Sequence, residues 1–339
     1  MAHDNHTVVY LSEQMVVLLS CTLSFLGSSL IILTYILWSD LRTTPRSLLV
    51  CLSVSDWLSD VSYAYGVWRV FHADTLECVI QGAISTFANT SSFFWTVAIA
   101  VYLYVFIVRA SRRTADSLLV CFHLVSWGVP LTITVAALCM NKIGYDASEV
   151  SVGWCWVRIH AADRVLWMLL TAKIWEFLAY LILPVLYVLI RRHIHGAHAV
   201  LSEYHPILAG RPASNSFSAM ADMKMTLIPI IFIALRIWST VRFVLLLAGS
   251  PARQHPVLVT LHGIGNTLQG AANCVMFVFC TQPIRARLCT ALCCCCSSKC
   301  RAAMSHSQSA PQTLQPGPDP SAHGEEQGED GINRAQPGR

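Results

Sequence analysis

This sequence predicts an all-α membrane protein: a bundle of seven transmembrane helices with an extracellular N-terminus, followed by a short amphipathic helix and a disordered tail. Three observations carry that prediction. Of the 339 residues, 55% are hydrophobic and only 12% are charged, which leaves more apolar surface than a soluble domain of this size can bury. Seven apolar runs approach or exceed the roughly 20 residues that cross about 30 Å of hydrocarbon. Lys and Arg fall mainly on alternate connections between those runs.

The runs lie at 15–38, 47–71, 78–108, 117–140, 165–190, 226–248 and 257–280, and lipid leaves them no stable form but the helix. The first, third, fourth and seventh contain no Asp, Glu, Lys or Arg; the other three carry charges that need a reason. With the N-terminus outside, fifteen Lys and Arg fall on the cytoplasmic side and four on the outer side, which fixes the orientation. The net charge of +4 then reads as attraction to the anionic inner leaflet, and no basic patch calls for nucleic acid. No Lys or Arg precedes Met15, so the first span is expected to be a retained signal-anchor behind an extracellular segment, 1–14. Asn5 in Asn-His-Thr is an expected glycosylation site there; Asn89 in Asn-Thr-Ser lies inside the third span, out of reach of a glycosyltransferase.

Between the fourth and fifth spans stands SVGWCWVR, Ser151 to Arg158. Its Cys155 is in the oxidising compartment, and Cys78 at the outer end of the third span is the other cysteine clearly in an outer segment. A Cys78–Cys155 disulfide would staple the loop over the bundle mouth, against the alternative of two free thiols. Trp154 and Trp156 are expected to pack at the membrane interface.

Three short motifs carry a family resemblance. SWGVP (Ser126 to Pro130) in the fourth span, GWCW in the outer loop and LQG (Leu268 to Gly270) in the seventh resemble the G-protein-coupled receptors of the secretin, adhesion and cyclic-AMP-receptor groups. The patterns of rhodopsin-like receptors are missing: the third span ends YLYVFIVRAS, the sixth reads IPIIFIALRIWSTVRF, and the seventh lacks Asn-Pro-x-x-Tyr. The resemblance implies an orphan-type receptor that passes an extracellular or basal signal to a heterotrimeric G protein, through the cyclic-AMP or phospholipase C branch. It implies no cofactor and a plasma-membrane location. The 14 residues ahead of the first span hold neither a hormone-binding nor a self-cleaving ectodomain, so a ligand is expected to enter the bundle from outside or from lipid, or activity to be largely ligand-independent.

Ionisable groups inside a membrane mark sites by default, because they are costly unless paired or facing a polar cavity. Asp56 and Asp60 share one face of the second helix, and Lys173 and Glu176 one face of the fifth. Arg236 and Arg242 in the sixth are six positions apart, on different faces at about 100° per residue, so one of them is expected to point into the core. Glu176 is expected to pair with Lys173 or with an arginine of the sixth helix. These pairs are either structural or contacts for a ligand. In the seventh span His262, Asn266, Gln269 and Asn273 recur at helical spacing and form one polar stripe, with Gly263, Gly265 and Gly270 allowing close helix approach. The resemblance gives Gln269 a place in a central polar network; the plainer reading is inter-helix bonding of about 0.6 kcal/mol per bond.

On the inner side Arg109, Arg112, Arg113, Arg191 and Arg192 are the expected G-protein contacts, and RRHIHGAH reads as a solvated extension of the fifth helix. Residues 281–296 predict an amphipathic helix on the inner leaflet, with Ile284, Leu288 and Leu292 on one face. Cys293, Cys294, Cys295 and Cys296 follow; they lack the spaced ligand pairs of a zinc site and read as juxtamembrane palmitoylation sites. The tail, 297–339, has a disordered composition with Ser305, Ser307 and Ser309 as candidate sites for receptor kinases and arrestin. Two rivals remain: a seven-span zinc hydrolase, for which His123 and His262 are too few ligands within the spans, and a non-signalling membrane scaffold.

Overall fold

The computed structural model describes residues 10–69, 71–204, 227–281 and 284–290. Met1–Arg287 form one compact unit; Leu288–Arg339 form a second, of which residues 288–290 are described. Asn5, Cys293 to Cys296 and the tail serines lie outside the described residues.

The first helix is Leu11–Leu37, and Tyr10 at its start donates its N–H to Glu13, 2.9 Å away. Its buried face reads Val17, Ser20, Cys21, Ser24, Gly27, Ser28, Ile31 and Thr34, one stripe at helical spacing made mostly of small residues. The second helix, Thr44–Arg69, and the third, Leu76–Ile107, follow; Thr75 caps the third by accepting the Cys78 N–H at 3.2 Å. The fourth span joins a short turn, Arg112–Ser117, to Leu119–Cys139. The fifth runs from Arg164–Met168 through a π-helical turn, Leu169–Lys173, into Ile174–Tyr204, and so carries the helix across Arg191 and Arg192. The sixth is Ile228–Leu247, opened by Pro229 where its missing N–H costs nothing. The seventh starts at Pro256, breaks at Leu268 between Pro256–Thr267 and Gln269–Cys274, and ends in a π-helical turn, Val275–Phe279.

Among the described residues five stretches are by length and composition long and apolar enough to cross a membrane: the first, third, fourth, fifth and sixth spans. The second falls short because serines, Asp56 and Asp60 dilute its apolar content, and the seventh because it is built from short pieces. The inter-helix packing explains both. Lipid tails are as apolar as leucine, so helices associate through close packing and polar contacts. Leu124 and Leu181, each 69% exposed, look outward, while Ser53, Ser59, Gly265 and Gly270 look inward. A Cβ on Gly265 would collide with the Leu235 carbonyl, and one on Gly270 with the Ser28 hydroxyl, so the sixth and first helices approach the seventh at these glycines.

The outer loop between the fourth and fifth spans forms a two-residue hairpin, β1 Ile143–Gly144 antiparallel to β2 Trp156–Val157. Cys78 and Cys155 are disulfide-bonded, with Cα atoms 5.5 Å apart. The Cys155 N–H also donates to Gln81 Oε1 at 2.8 Å, and the Gln81 amide reaches Ser62 at 3.2 Å.

Candidate functional site

The outer half of the bundle holds a small, partly open cleft, lined among others by Tyr63, Asn89, Trp154, Lys173, Glu176 and His262. Its roof is the stapled loop. Trp154 is 5% exposed and packs on Tyr63 at 4.5 Å and on His262 at 5.8 Å between ring centroids. The expectation of an interfacial Trp154 is thereby corrected: the disulfide pulls the loop inward, and the indole fills the mouth of the bundle. Trp156 is partly buried beside it and lines the same cleft.

On the fifth-helix wall the π turn sets Lys173 pointing inward. Its ammonium donates to Glu176 Oε2 at 2.7 Å and to the Ser239 hydroxyl of the sixth helix. The other Glu176 oxygen accepts from Tyr180 at 2.7 Å and from Thr240. Both charged side chains are 2% exposed, so the pair is a desolvated ion pair with its remaining lone pairs satisfied. Of the two partners expected for Glu176, the geometry gives Lys173; the arginines of the sixth helix go elsewhere.

Both of those arginines are buried, at 2% and 0% exposure, which corrects the expectation that one alone would point inward. The helical offset is real, but the two faces meet different polar surroundings. Arg242, near the outer end, turns under the loop: it donates to the carbonyls of Val150 and Ser151 at 3.1 and 3.0 Å, of Glu149 at 3.4 Å and of Arg253 at 3.1 Å. It also donates to His262 Nδ1 at 2.8 Å, and the other ring nitrogen, Nε2, lies 3.0 Å from the Asn266 amide nitrogen. Arg236 turns toward the third and seventh helices. It donates to Asn89, to Asn266 at 3.3 Å and to Gln269 at 3.4 Å, and lies over the Phe93 ring at 5.0 Å.

From Gln269 the chain of bonds continues inward. The Gln269 amide donates to Ser92 at 3.1 Å, Ser92 donates to Asp56 at 2.8 Å, and Asn273 donates to the second Asp56 oxygen at 3.3 Å. The seventh-helix stripe of His262, Asn266, Gln269 and Asn273 is thus buried on one face and bonded in sequence from the cleft to the middle of the bundle. Asp60 sits one turn outward of Asp56, buried at 2% exposure and bonded to Ser24.

Sequence reasoning passed over Asn89, Ser92, Tyr63 and Gln81. The polar run Asn89-Thr90-Ser91-Ser92 inside an uncharged span is the signal in the sequence that this helix serves a buried polar partner. The loop acids were passed over as well. Asp146 accepts from Ser148 and from both the N–H and hydroxyl of Ser151 at 2.8 to 3.2 Å, and burial pushes its carboxyl above its usual range. Glu149 binds Arg164 and approaches Arg253 at 3.7 Å.

At the inner face Arg109, Arg112, Arg113, Arg191 and Arg192 are all exposed. Arg112 is 3.6 Å from Asp116, and Arg287 pairs with Asp40 at 2.7 Å. Among the described residues no group of three or more His, Cys, Asp and Glu is placed to hold a metal ion.

Residues 10–271 match the 7 transmembrane receptor (Secretin family) family. The chain belongs to that family. It is 63% identical over 286 residues to G-protein coupled receptor 157 of Mus musculus, covering 84% of this chain and 86% of the relative. To G-protein coupled receptor 157 of Homo sapiens it is 64% identical over 279 residues, covering 82% and 83%. A more distant likeness, 25% identity over 142 residues, joins it to Cyclic AMP receptor-like protein A of Dictyostelium discoideum, covering 42% of this chain and 36% of the relative. The fold is similar to that of squid rhodopsin, with a TM-score of 0.61 at 15% identity over 80% of this chain and 77% of the other. The protein is therefore a multi-pass G-protein-coupled receptor of the secretin type, a non-enzymatic family, and the hydrolase reading falls away.

Proposed function

We propose that activity is set in the outer cleft, by a small ligand or by the Trp154 loop that roofs it, and travels through Arg236 to the inner ends of the helices. The observation that carries this reading is the unbroken run of buried polar contacts from His262 and Asn266 through Arg236, Gln269 and Ser92 to Asp56. It links the second, third, sixth and seventh helices, so a displacement at the cleft changes bonds at mid-bundle. Polar contacts that exchange between two packings are what a two-state receptor needs.

The output is a G protein of the cyclic-AMP or phospholipase C branch, docked against Arg109, Arg112, Arg113, Arg191 and Arg192 at the plasma membrane. Asn5 carries the glycan, Cys293 to Cys296 the palmitates, and the tail serines the contacts to kinases and arrestin. The exposure of all five arginines on the inner face favours this docking surface.

The test is agonist-free G-protein dissociation in cells, read by energy transfer between labelled α and βγ subunits, one α family at a time. Wild type is expected to activate one family. At equal surface level Cys155→Ala should lose that activity and Arg236→Gln should lower it several-fold. Dissociation unchanged in both variants would sink the reading.

A further inference from the structure

We propose that the outer cleft takes a small organic carboxylate with an apolar body, its two oxygens held by Lys173, Asn89 and Thr86; this rests on the reading that activity is set in that cleft. Three donors in the cleft wall lack acceptors. The Lys173 ammonium spends two of its three N–H, on Glu176 at 2.7 Å and on Ser239. Asn89 turns its carboxamide oxygen to Arg236, which leaves its NH2 as a donor that bonds nothing among the described residues. The Thr86 hydroxyl, one turn earlier on the same helix, is enclosed and has no hydrogen-bond partner. All three residues line the cleft.

The acceptors of the same wall are already in use. Glu176 Oε2 takes Lys173, and its Oε1 takes Tyr180 at 2.7 Å and Thr240. The side-chain oxygens of Asn89 and Asn266 both take Arg236. His262 is engaged at one ring nitrogen by Arg242 and at the other by the Asn266 amide. An ammonium and a carboxamide NH2 can only donate, so the partner the wall calls for is an acceptor.

Charge selects the acceptor. The ionised side chains that bear on His262 are Arg242, Lys173 and Arg236, all cationic. Glu176 offsets one of them and is the only carboxylate among the lining residues. The second-helix aspartates hold other partners: Asp56 is linked to Arg236 only through Gln269 and Ser92, and Asp60 bonds Ser24 of the first helix. A carboxylate brings the missing negative charge and two oxygens, which accept charge-assisted bonds. Trp154, Trp156 and Val150 complete the lining with apolar surface, which suits an apolar body behind the carboxylate.

The experiment is thermal unfolding of the purified full-length receptor in lipid nanodiscs, with sodium butyrate and sodium benzoate against butyramide and benzamide, sodium chloride balancing the ionic strength. At about 10 mM at least one acid is expected to raise the midpoint by about 3 °C, saturably, and its amide is not. The double variant Lys173→Met, Glu176→Gln should lose the rise. Thr86→Val removes a hydroxyl that bonds nothing and should weaken the apparent affinity several-fold; Thr134→Val, the same change at a partnerless buried hydroxyl of the fourth span, should keep it. Should the double variant fail to fold, Thr86→Val against Thr134→Val decides alone. No rise with either acid would overturn the proposal, as would amides that match their acids or a rise that Thr86→Val leaves unchanged. No G protein takes part, so this outcome is separate from the coupling test: activity lost in Cys155→Ala without any acid effect would leave the Trp154 loop as what sets the cleft.

Discussion

The outer and inner faces of this receptor are fastened by opposite means. Outside, the loop is held by a disulfide, by Gln81, and by Arg242 on three of its backbone carbonyls, with a fourth bond to the Arg253 carbonyl between the sixth and seventh helices. Inside, the cross-helix ion pair Arg287–Asp40 is 44% and 56% exposed, and Arg109, Arg112, Arg113, Arg191 and Arg192 are exposed as well. A hydrogen bond in a low-dielectric interior is strong and costly to lose; one in water is screened and weak. The difference teaches where the molecule can move. A displacement over the cleft must break buried bonds, whereas one at the Arg287–Asp40 pair breaks a water-exposed one.

The comparison is broken most sharply at Arg242. Arg242→Leu strips the donors from the carbonyls of Glu149, Val150, Ser151 and Arg253 and from His262. Each buried acceptor left without a partner costs about 1–3 kcal/mol. Surface labelling is expected to show almost no folded receptor, and a variant with normal surface level and melting temperature would mean the cap is not fastened there. Cys155→Ala comes next. Opening a loop of sequence separation 77 costs about 2–5 kcal/mol, and its effect should add to that of Arg242→Leu by less than the sum, since both hold the same segment.

The cleft wall sharpens the contrast. Lys173→Met leaves Glu176 buried with its charge uncompensated, and is expected to lower stability by about 3–5 kcal/mol. Adding Glu176→Gln should restore most of that loss, because the neutral amide keeps the bonds to Tyr180 and Thr240 without the charge. The readout is the melting temperature of purified protein. A double variant no better than the single one would assign the cost to the lost Lys173–Ser239 bond instead.

How much of this was written in the sequence differs by level. The seven spans were legible, since length and hydropathy are local properties, and each observed helix lies within a few residues of its span limits, the fifth continuing past them to Tyr204 through the RRHIHGAH stretch read as its extension. The break at Leu268 and the π turn at Leu169–Lys173 were not, because both depend on neighbours from other helices. Cys78 and Cys155 were legible from topology. The polar stripe of the seventh helix was readable from spacing, but its partners Asn89 and Ser92 were not, because a sequence shows which face is polar and not what that face meets. Arg242 shows the limit most plainly. Its partners are backbone carbonyls, which no residue name reveals.

The smallest effect is expected at the inner ion pair, and its smallness is the point. The hydrogen bond from Arg287, seconded by its charge, holds the Asp40 carboxyl below the ordinary carboxylate range. A depressed acid contributes its stabilisation above the unfolded value and loses it as pH falls through the folded one, so the pair is fully formed at neutral pH and is lost only in acid. Since both side chains are in water, salt should erase the contribution without acid. Asp40→Asn is expected to leave the melting temperature unchanged within error, while amide exchange over residues 284–287 becomes faster. A fall in melting temperature as large as that of Cys155→Ala would mean the inner face is held as firmly as the outer, and the contrast between the two would have to be given up.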